Sequence, residues 1–221
     1  MDRRSSPAWP SRVCGRSGAD RKRGPLSVRV LARAHITNRG TSIVYDPSAP
    51  ATYRETGIYN GGGVYRTDDN GVTFRQLGNI VHTEALGIDL TDPARRTLLA
   101  TKHEASVVSR STDDGKSWTD ISSSLPAGAG FATGPVVIDA KTFVLGTSHG
   151  TQAGVFRSTD AGNTWTRVFN YGVTGRPLVA SDGALYWVSD TNSAVIKSVD
   201  GGAIWSVVSM AGRKMSSVLR L

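Results

Sequence analysis

The sequence predicts an all-β protein, a β-propeller made of four-stranded antiparallel blades, with about four complete blades. Three observations carry this. One short motif recurs four times in fixed register along the 221 residues. Each copy follows two further short apolar segments, which makes four strands per ~40–45 residues. No segment carries the 3.6-residue apolar period of an amphipathic helix.

The chain opens on a basic segment. The net charge of +8 is confined to residues 1–40, where ten Lys and Arg stand against Asp2 and Asp20. Residues 41–221 carry sixteen bases and sixteen acids. The repeat region therefore has no positive excess for a phosphate backbone, and nucleic acid is not an expected partner of it. The basic segment reads as a solvated tail. It could alternatively act as a nucleic-acid arm. Ser5–Arg23 lacks the apolar stretch of a secretory signal, and Pro25–Ile36 alternates enough for one strand. The longest apolar runs fall well short of the ~20 residues of a membrane helix. A lone cysteine, Cys14, excludes an internal disulfide framework and a zinc–thiolate cluster.

The repeat comes next. Val64–Phe74, Val108–Trp118, Val155–Trp165 and Val195–Trp205 align without gaps. Two residues after the Val stands a base: Arg66, Arg110, Arg157 or Lys197. Then follow a hydroxyl (Thr67, Ser111, Ser158, Ser198), an acid (Asp69, Asp113, Asp160, Asp200), a glycine (Gly71, Gly115, Gly162, Gly202) and an aromatic (Phe74, Trp118, Trp165, Trp205). Val-x-Arg-Ser alternates as a strand does. The Asp can accept backbone N–H groups a few residues on, and Gly supplies positive φ, so the pair closes a turn. The aromatic opens the next strand and can fold over the turn. The bases are expected on exposed strand positions.

Two strands precede each hairpin. They are Thr41–Asp46 and Thr52–Tyr59, Ala85–Leu90 and Thr97–Lys102, Gly134–Asp139 and Thr142–Ser148, and Pro177–Ser181 and Ala184–Ser189. Blades are expected at about 41–78, 85–122, 134–170 and 177–209, with the start of a further blade at 216–221. The expectation is a partial or truncated propeller whose open blade edges favour self-association.

The pattern Ser/Thr-x-Asp-x-Gly-x-Thr/Ser-Trp/Phe resembles the Asp-box, the bacterial neuraminidase repeat. Three copies match it; the fourth has Ile204 where Thr or Ser is expected. The resemblance implies a sialidase-like, glycosyl hydrolase-like propeller over about residues 41–209, in a superfamily often secreted. Its members include sialidases, xyloglucan-degrading hydrolases, a receptor propeller and a photosystem assembly factor. Sialidases hold a substrate carboxylate with three arginines, the first in Phe/Tyr-Arg-Ile-Pro. Here the nearest string is Gly175-Arg176-Pro177, so no catalytic residue carries over.

In a propeller blade the first-to-second and third-to-fourth turns share one face, and the second-to-third loops and inter-blade links share the other. The repeat's acids are therefore turn formers. The opposite face offers His82, Glu84, Tyr171 and Arg176 from links, and His103, Glu104, His149 and Asp190 from loops. His103 and His149 each stand two residues after a Thr and could meet at one rim. Glu84 and Glu104 could pair as the carboxylates of glycoside hydrolysis, which stand ~5–10 Å apart. No metal site and no cofactor is implied. A non-catalytic module for a glycan or protein ligand is expected, with part of a sialidase-like or polysaccharide-directed glycoside hydrolase as the alternative.

Overall fold

The computed structural model describes residues 40–59, 61–189 and 191–210. The basic segment, the expected strand Pro25–Ile36, the expected blade start at 216–221 and the candidate Asp190 lie outside the described residues.

Blade 1 holds β1 (Gly40–Tyr45), β2 (Tyr53–Gly57), β3 (Val64–Thr67) and β4 (Arg75–Gln76). Blade 2 holds β5 (Thr83–Ile88), β6 (Leu98–Lys102), β7 (Val108–Ser111) and β8 (Thr119–Asp120). Blade 3 holds β9 (Ala132–Val137), β10 (Phe143–Thr147), β11 (Val155–Ser158) and β12 (Thr166–Phe169). Blade 4 holds β13 (Thr174–Val179), β14 (Leu185–Ser189), β15 (Ala194–Ser198) and β16 (Ser206–Met210). Each blade is an antiparallel meander whose spatial order follows the chain. The described residues thus form an all-β propeller of four blades, with β1, β5, β9 and β13 innermost. Among the described residues the one helical element is a 3-10 turn, Ser122–Ser124.

Inner strands β5, β9 and β13 begin two or three residues before the positions the alternation suggested. Each crosses a register shift near its start, at Thr83/Ala85, opposite Val144/Gly146, and at Thr174/Leu178. A bulge breaks the period-2 pattern on which the sequence reading relied.

The repeat closes each third-to-fourth turn as its chemistry demands. Asp69 accepts from the Thr67 hydroxyl at 2.7 Å, the Thr73 amide at 2.9 Å and the Thr73 hydroxyl at 2.7 Å. The Thr67 hydroxyl in turn accepts the Gly71 amide at 2.9 Å. Asp113 and Asp160 repeat the arrangement with Ser117 and Thr164. Asp200 keeps the backbone bonds from Ala203 and Ile204 but has no hydroxyl at the fourth corner. The turn glycines face the preceding blade. A Cβ on Gly115, at φ +78°, would sit 2.8 Å from Leu77, and one on Gly162, at φ +83°, 2.6 Å from Ile121. Both the left-handed backbone and the close approach therefore require glycine.

Three apolar seams join successive blades. Val64 and Leu77 meet Leu86, Ile88 and Leu98 between blades 1 and 2. Leu99 and Val108 meet Val137, Phe143 and Phe156 between blades 2 and 3. Val136, Val144 and Val155 meet Leu185, Trp187 and Ile196 between blades 3 and 4. Fully burying one such side chain contributes about 1.5–3 kcal/mol. Two of the repeat's indoles add polar stitches back to the blade before, while Trp205 donates to the Gly202 carbonyl of its own turn. Trp118 donates to the Leu77 carbonyl at 3.0 Å and Trp165 to the Ser124 hydroxyl at 3.0 Å.

The repeated base is not the exposed strand residue that alternation suggested. Arg66, Arg110 and Arg157 are half-buried. Each reaches forward to the residue that follows the Asp in the next blade's turn. Arg66 pairs with the Asp114 carboxylate, Arg110 donates to the Ala161 carbonyl, and Arg157 donates to the Gly201 carbonyl at 3.0 Å. Alternation within one blade predicts direction, but it is the neighbouring blade that decides burial.

Candidate functional site

Main-chain bonds assign the two faces. The turn amides of Asn70, Asp114 and Ala161 donate to the first-to-second turn carbonyls of Ala51, Arg96 and Lys141, which places both kinds of turn on one face. On the other face the link carbonyls of His82 and Phe131 accept the loop amides of His103 and Ser148, at 3.0 and 3.1 Å.

On this second face the seam between blades 1 and 2 gathers four of the candidates. His82 lies in the link after β4, Glu84 in β5, and His103 and Glu104 in the β6–β7 loop. The His103 Nδ1 meets a Glu84 carboxylate oxygen, and its Nε2 lies 3.7 Å from Glu104. The His82 and His103 rings stand edge to face with centroids 5.5 Å apart. Tyr59 stands edge to face with His82 on the other side, at 6.1 Å. The His82 Nδ1 bonds the Ile58 carbonyl. A carbonyl only accepts, so Nδ1 is the donor of this bond. His82 and Glu104 both hold left-handed backbone, φ 60° and 48°. Such conformations cost of order 1–3 kcal/mol in a non-glycine residue and persist where the surroundings impose them.

The remaining candidates lie elsewhere. His149 lies tilted against Phe131 with centroids at 5.0 Å and shares a hydrogen bond with the Ser148 hydroxyl. The imidazoles brought together are thus His82 and His103, rather than His103 and His149. Tyr171 is exposed beside Phe169, with centroids at 5.7 Å. Arg176 sits within β13 rather than in a link. Its guanidinium donates to the Ile43 carbonyl at 2.9 Å and the Leu86 carbonyl at 3.5 Å. It borders an axial cavity of about 480 Å³ lined by Val44, Leu86, Ile88, Val136 and Asp182 among others. Solvent reaches the side chain, yet the crowded inner strands dehydrate the guanidinium enough to lower its pKa.

Tyr59 was not a candidate in the sequence. It stands beside Asn60, outside the repeat's conserved columns of the motif, and only the adjoining link brings His82 onto it. Among the described residues no group of three or more His, Cys, Asp or Glu is placed to hold a metal ion.

No family model matches the chain, and no curated protein does. Solved structures do. YCF48 from Cyanidioschyzon merolae aligns with a TM-score of 0.53 at 15% identity, over 77% of this chain and 56% of that one. The GH74 xyloglucanase from Xanthomonas campestris aligns with a TM-score of 0.57 at 20% identity, over 80% and 32%. A chain of a nidogen/laminin complex aligns with a TM-score of 0.61 at 13% identity, over 77% and 65%. These likenesses show the propeller fold. The chain spans less than two thirds of each of these neighbours.

Proposed function

We propose that the chain is a non-catalytic Asp-box propeller module that binds a segment of a partner protein across the rim between blades 1 and 2. One observation carries this reading. The two acids best placed for hydrolysis, Glu84 and Glu104, both meet the imidazole of His103. Hydrolysis of a glycosidic bond needs one carboxyl on each side of the substrate. A carboxylate–imidazole–carboxylate cluster instead offers fixed acceptors, and the Tyr59, His82 and His103 rings beside it offer apolar faces with polar edges. That combination suits peptide amides and basic side chains. YCF48, a neighbour in fold, has been solved bound to a D1 peptide.

A glycan ligand is the second reading, favoured by the Phe131–His149 and Phe169–Tyr171 ring pairs on the same face. Peptide and glycan arrays probed with the wild type and with Glu84→Gln and His103→Ala separate the readings. Retention of a peptide set, weakened about tenfold or more in both variants, a loss of ~1.4 kcal/mol, is expected. Turnover of fluorogenic glycosides that Glu84→Gln abolishes would show a hydrolase and overturn the proposal.

A further inference from the structure

The forward latch of the repeat is complete three times and open once. Arg66, Arg110 and Arg157 each hold the residue after the turn Asp in the next blade: Asp114, Ala161 and Gly201. The fourth base, Lys197, has no next blade among the described residues and lies 5.1 Å over the Tyr186 ring instead. The equivalent turn residue of blade 1 is Asn70, at φ 58°, in line with 60°, 62° and 65° at Asp114, Ala161 and Gly201. Asn70 is exposed, and among the described residues no preceding blade's base reaches it. Donor and acceptor of one further latch are therefore both present, at opposite ends of the blade series.

The sheet faces around them match in the same way. Leu185, Trp187 and Ile196 point to blade 3. Alternation then turns Leu178, Tyr186, Val188, Val195 and Lys197 to the outward face of blade 4. In blade 1, Arg54 and Val64 point to blade 2, so Ile43, Tyr45, Tyr53, Glu55 and Tyr65 face outward. Ile43 is 50% and Tyr45 61% exposed, against 44% for Leu178. One face carries a base, Lys197, and the other an acid, Glu55.

We propose that two copies of this chain join head to tail, the outward face of blade 4 in each docking on the outward face of blade 1 in the other, with Lys197 latching the turn at Asn70. The donor and acceptor surfaces differ, so the contact is heterologous, and two copies close it on each other. The described blades of two copies number eight, within the roughly four to eight of known propellers. Within one copy, Arg176 of the blade 4 inner strand donates to the Ile43 carbonyl of the blade 1 inner strand. That contact leaves Ile43, Tyr45 and Leu178 of the outward faces exposed.

The test uses the full chain with Cys14→Ser. Lys197→Cys and Asn70→Cys are made as separate proteins, mixed, and treated with a short bismaleimide, since a latch through a long side chain holds the two backbones too far apart for a disulfide. A covalent heterodimer is expected in the mixture, and a dimer mass is expected for the wild type by sedimentation at micromolar concentration. Leu178→Glu should shift the protein to monomer with an unchanged β-sheet circular dichroism and a melting temperature that no longer rises with protein concentration, because Leu178 is exposed within one copy. A monomeric wild type overturns the proposal. So does a cross-link that forms only within one chain when Asn70→Cys and Lys197→Cys are combined in a single protein, because blade 4 then closes on its own blade 1. A dimer indifferent to Leu178→Glu overturns it as well.

Discussion

The seam between blades 1 and 2 and the seam between blades 3 and 4 come from the same repeat but are held by different forces. In the first, Arg95 forms a bidentate pair with Asp46, at 2.9 and 2.8 Å, both side chains buried, and also donates to the Ser48 hydroxyl. Arg54 and Arg66 converge on the Asp114 carboxylate. Arg54 is fully buried, and its Nε and Nη1 have no hydrogen-bond partner. In the second seam the latch is neutral at its far end, the Gly201 carbonyl. The weight is carried by Trp187, which has no exposed surface and whose indole donates to the Thr174 carbonyl. A Cβ on Gly134 or Gly146 would come within 2.5 Å of that ring, so the two glycines of blade 3 form its slot. One column of the repeat decides much of this difference. Where the residue after the turn Asp is itself an acid, the arriving arginine finds a charge; where it is Ala or Gly, it finds only a peptide oxygen.

Two substitutions should separate the seams most clearly. Trp187→Ala should cost about 3–5 kcal/mol in chemical denaturation, as for other large-to-small changes in a packed core. Asp46→Asn should cost a comparable amount, about 3–5 kcal/mol, because Arg95 then stays buried without its counter-charge. Their pH dependence should differ. The Arg95 guanidinium holds the Asp46 carboxyl below its ordinary value of 3.8. A carboxyl whose folded pKa is depressed stabilises fully above its unfolded value and loses that contribution as the pH falls through the folded one. The Asp46→Asn penalty should therefore shrink below about pH 4, while that of Trp187→Ala should not. Amide exchange on β2 and β5 should accelerate in acid before that on β10 and β14. Equal loss in both seams would contradict the ionic assignment. A smaller effect is expected at Asp114, whose side chain retains 18% exposure. Asp114→Asn should cost about 1.5–3 kcal/mol, the range for hydrogen bonds to charged groups.

How far the sequence foretold these seams follows from which contacts are local. The turn bonds of Asp69, Asp113, Asp160 and Asp200 lie within four residues, so spacing alone revealed them. Meander order followed from the four strands per repeat. The latch of Arg157 onto Gly201 and the slot for Trp187 join residues more than forty positions apart, and a single blade's pattern reads the same with or without them. The rim cluster was legible only in part. Topology put His82, Glu84, His103 and Glu104 on one face. Their convergence depends on the link after β4 lying against the β6–β7 loop, through the His103 amide and the His82 carbonyl. That packing is also why Tyr59 escaped notice and why His149 proved a poor mate for His103.

The smallest expected effect tests whether a turn or a seam holds blade 4 in place. Hydroxyls of Thr73, Ser117 and Thr164 donate to their turn acids at 2.7, 2.6 and 2.6 Å. Together with the backbone bonds they hold Asp69, Asp113 and Asp160 at a pKa of about 2. Ile204 takes that place in the fourth copy and is 73% exposed, so removing it sacrifices little burial within one copy. The Asp200 carboxyl is lowered chiefly by the Ile204 amide, with the Ser198 hydroxyl second, and no hydroxyl from position 204 assists. Ile204→Thr should restore the missing donor and stabilise the chain by about 0.5–1.5 kcal/mol, the net worth of one hydrogen bond, with the Asp200 carboxyl titrating lower than in the wild type. Thermal melting and carboxyl NMR titration read the two quantities independently. If the titration moves and the melting does not, the fourth turn closes locally without limiting stability, and the indole seam around Trp187 is what anchors blade 4. If both move, the turn that presents the Gly201 carbonyl to Arg157 shares that task, and the two seams differ less than their charges suggest.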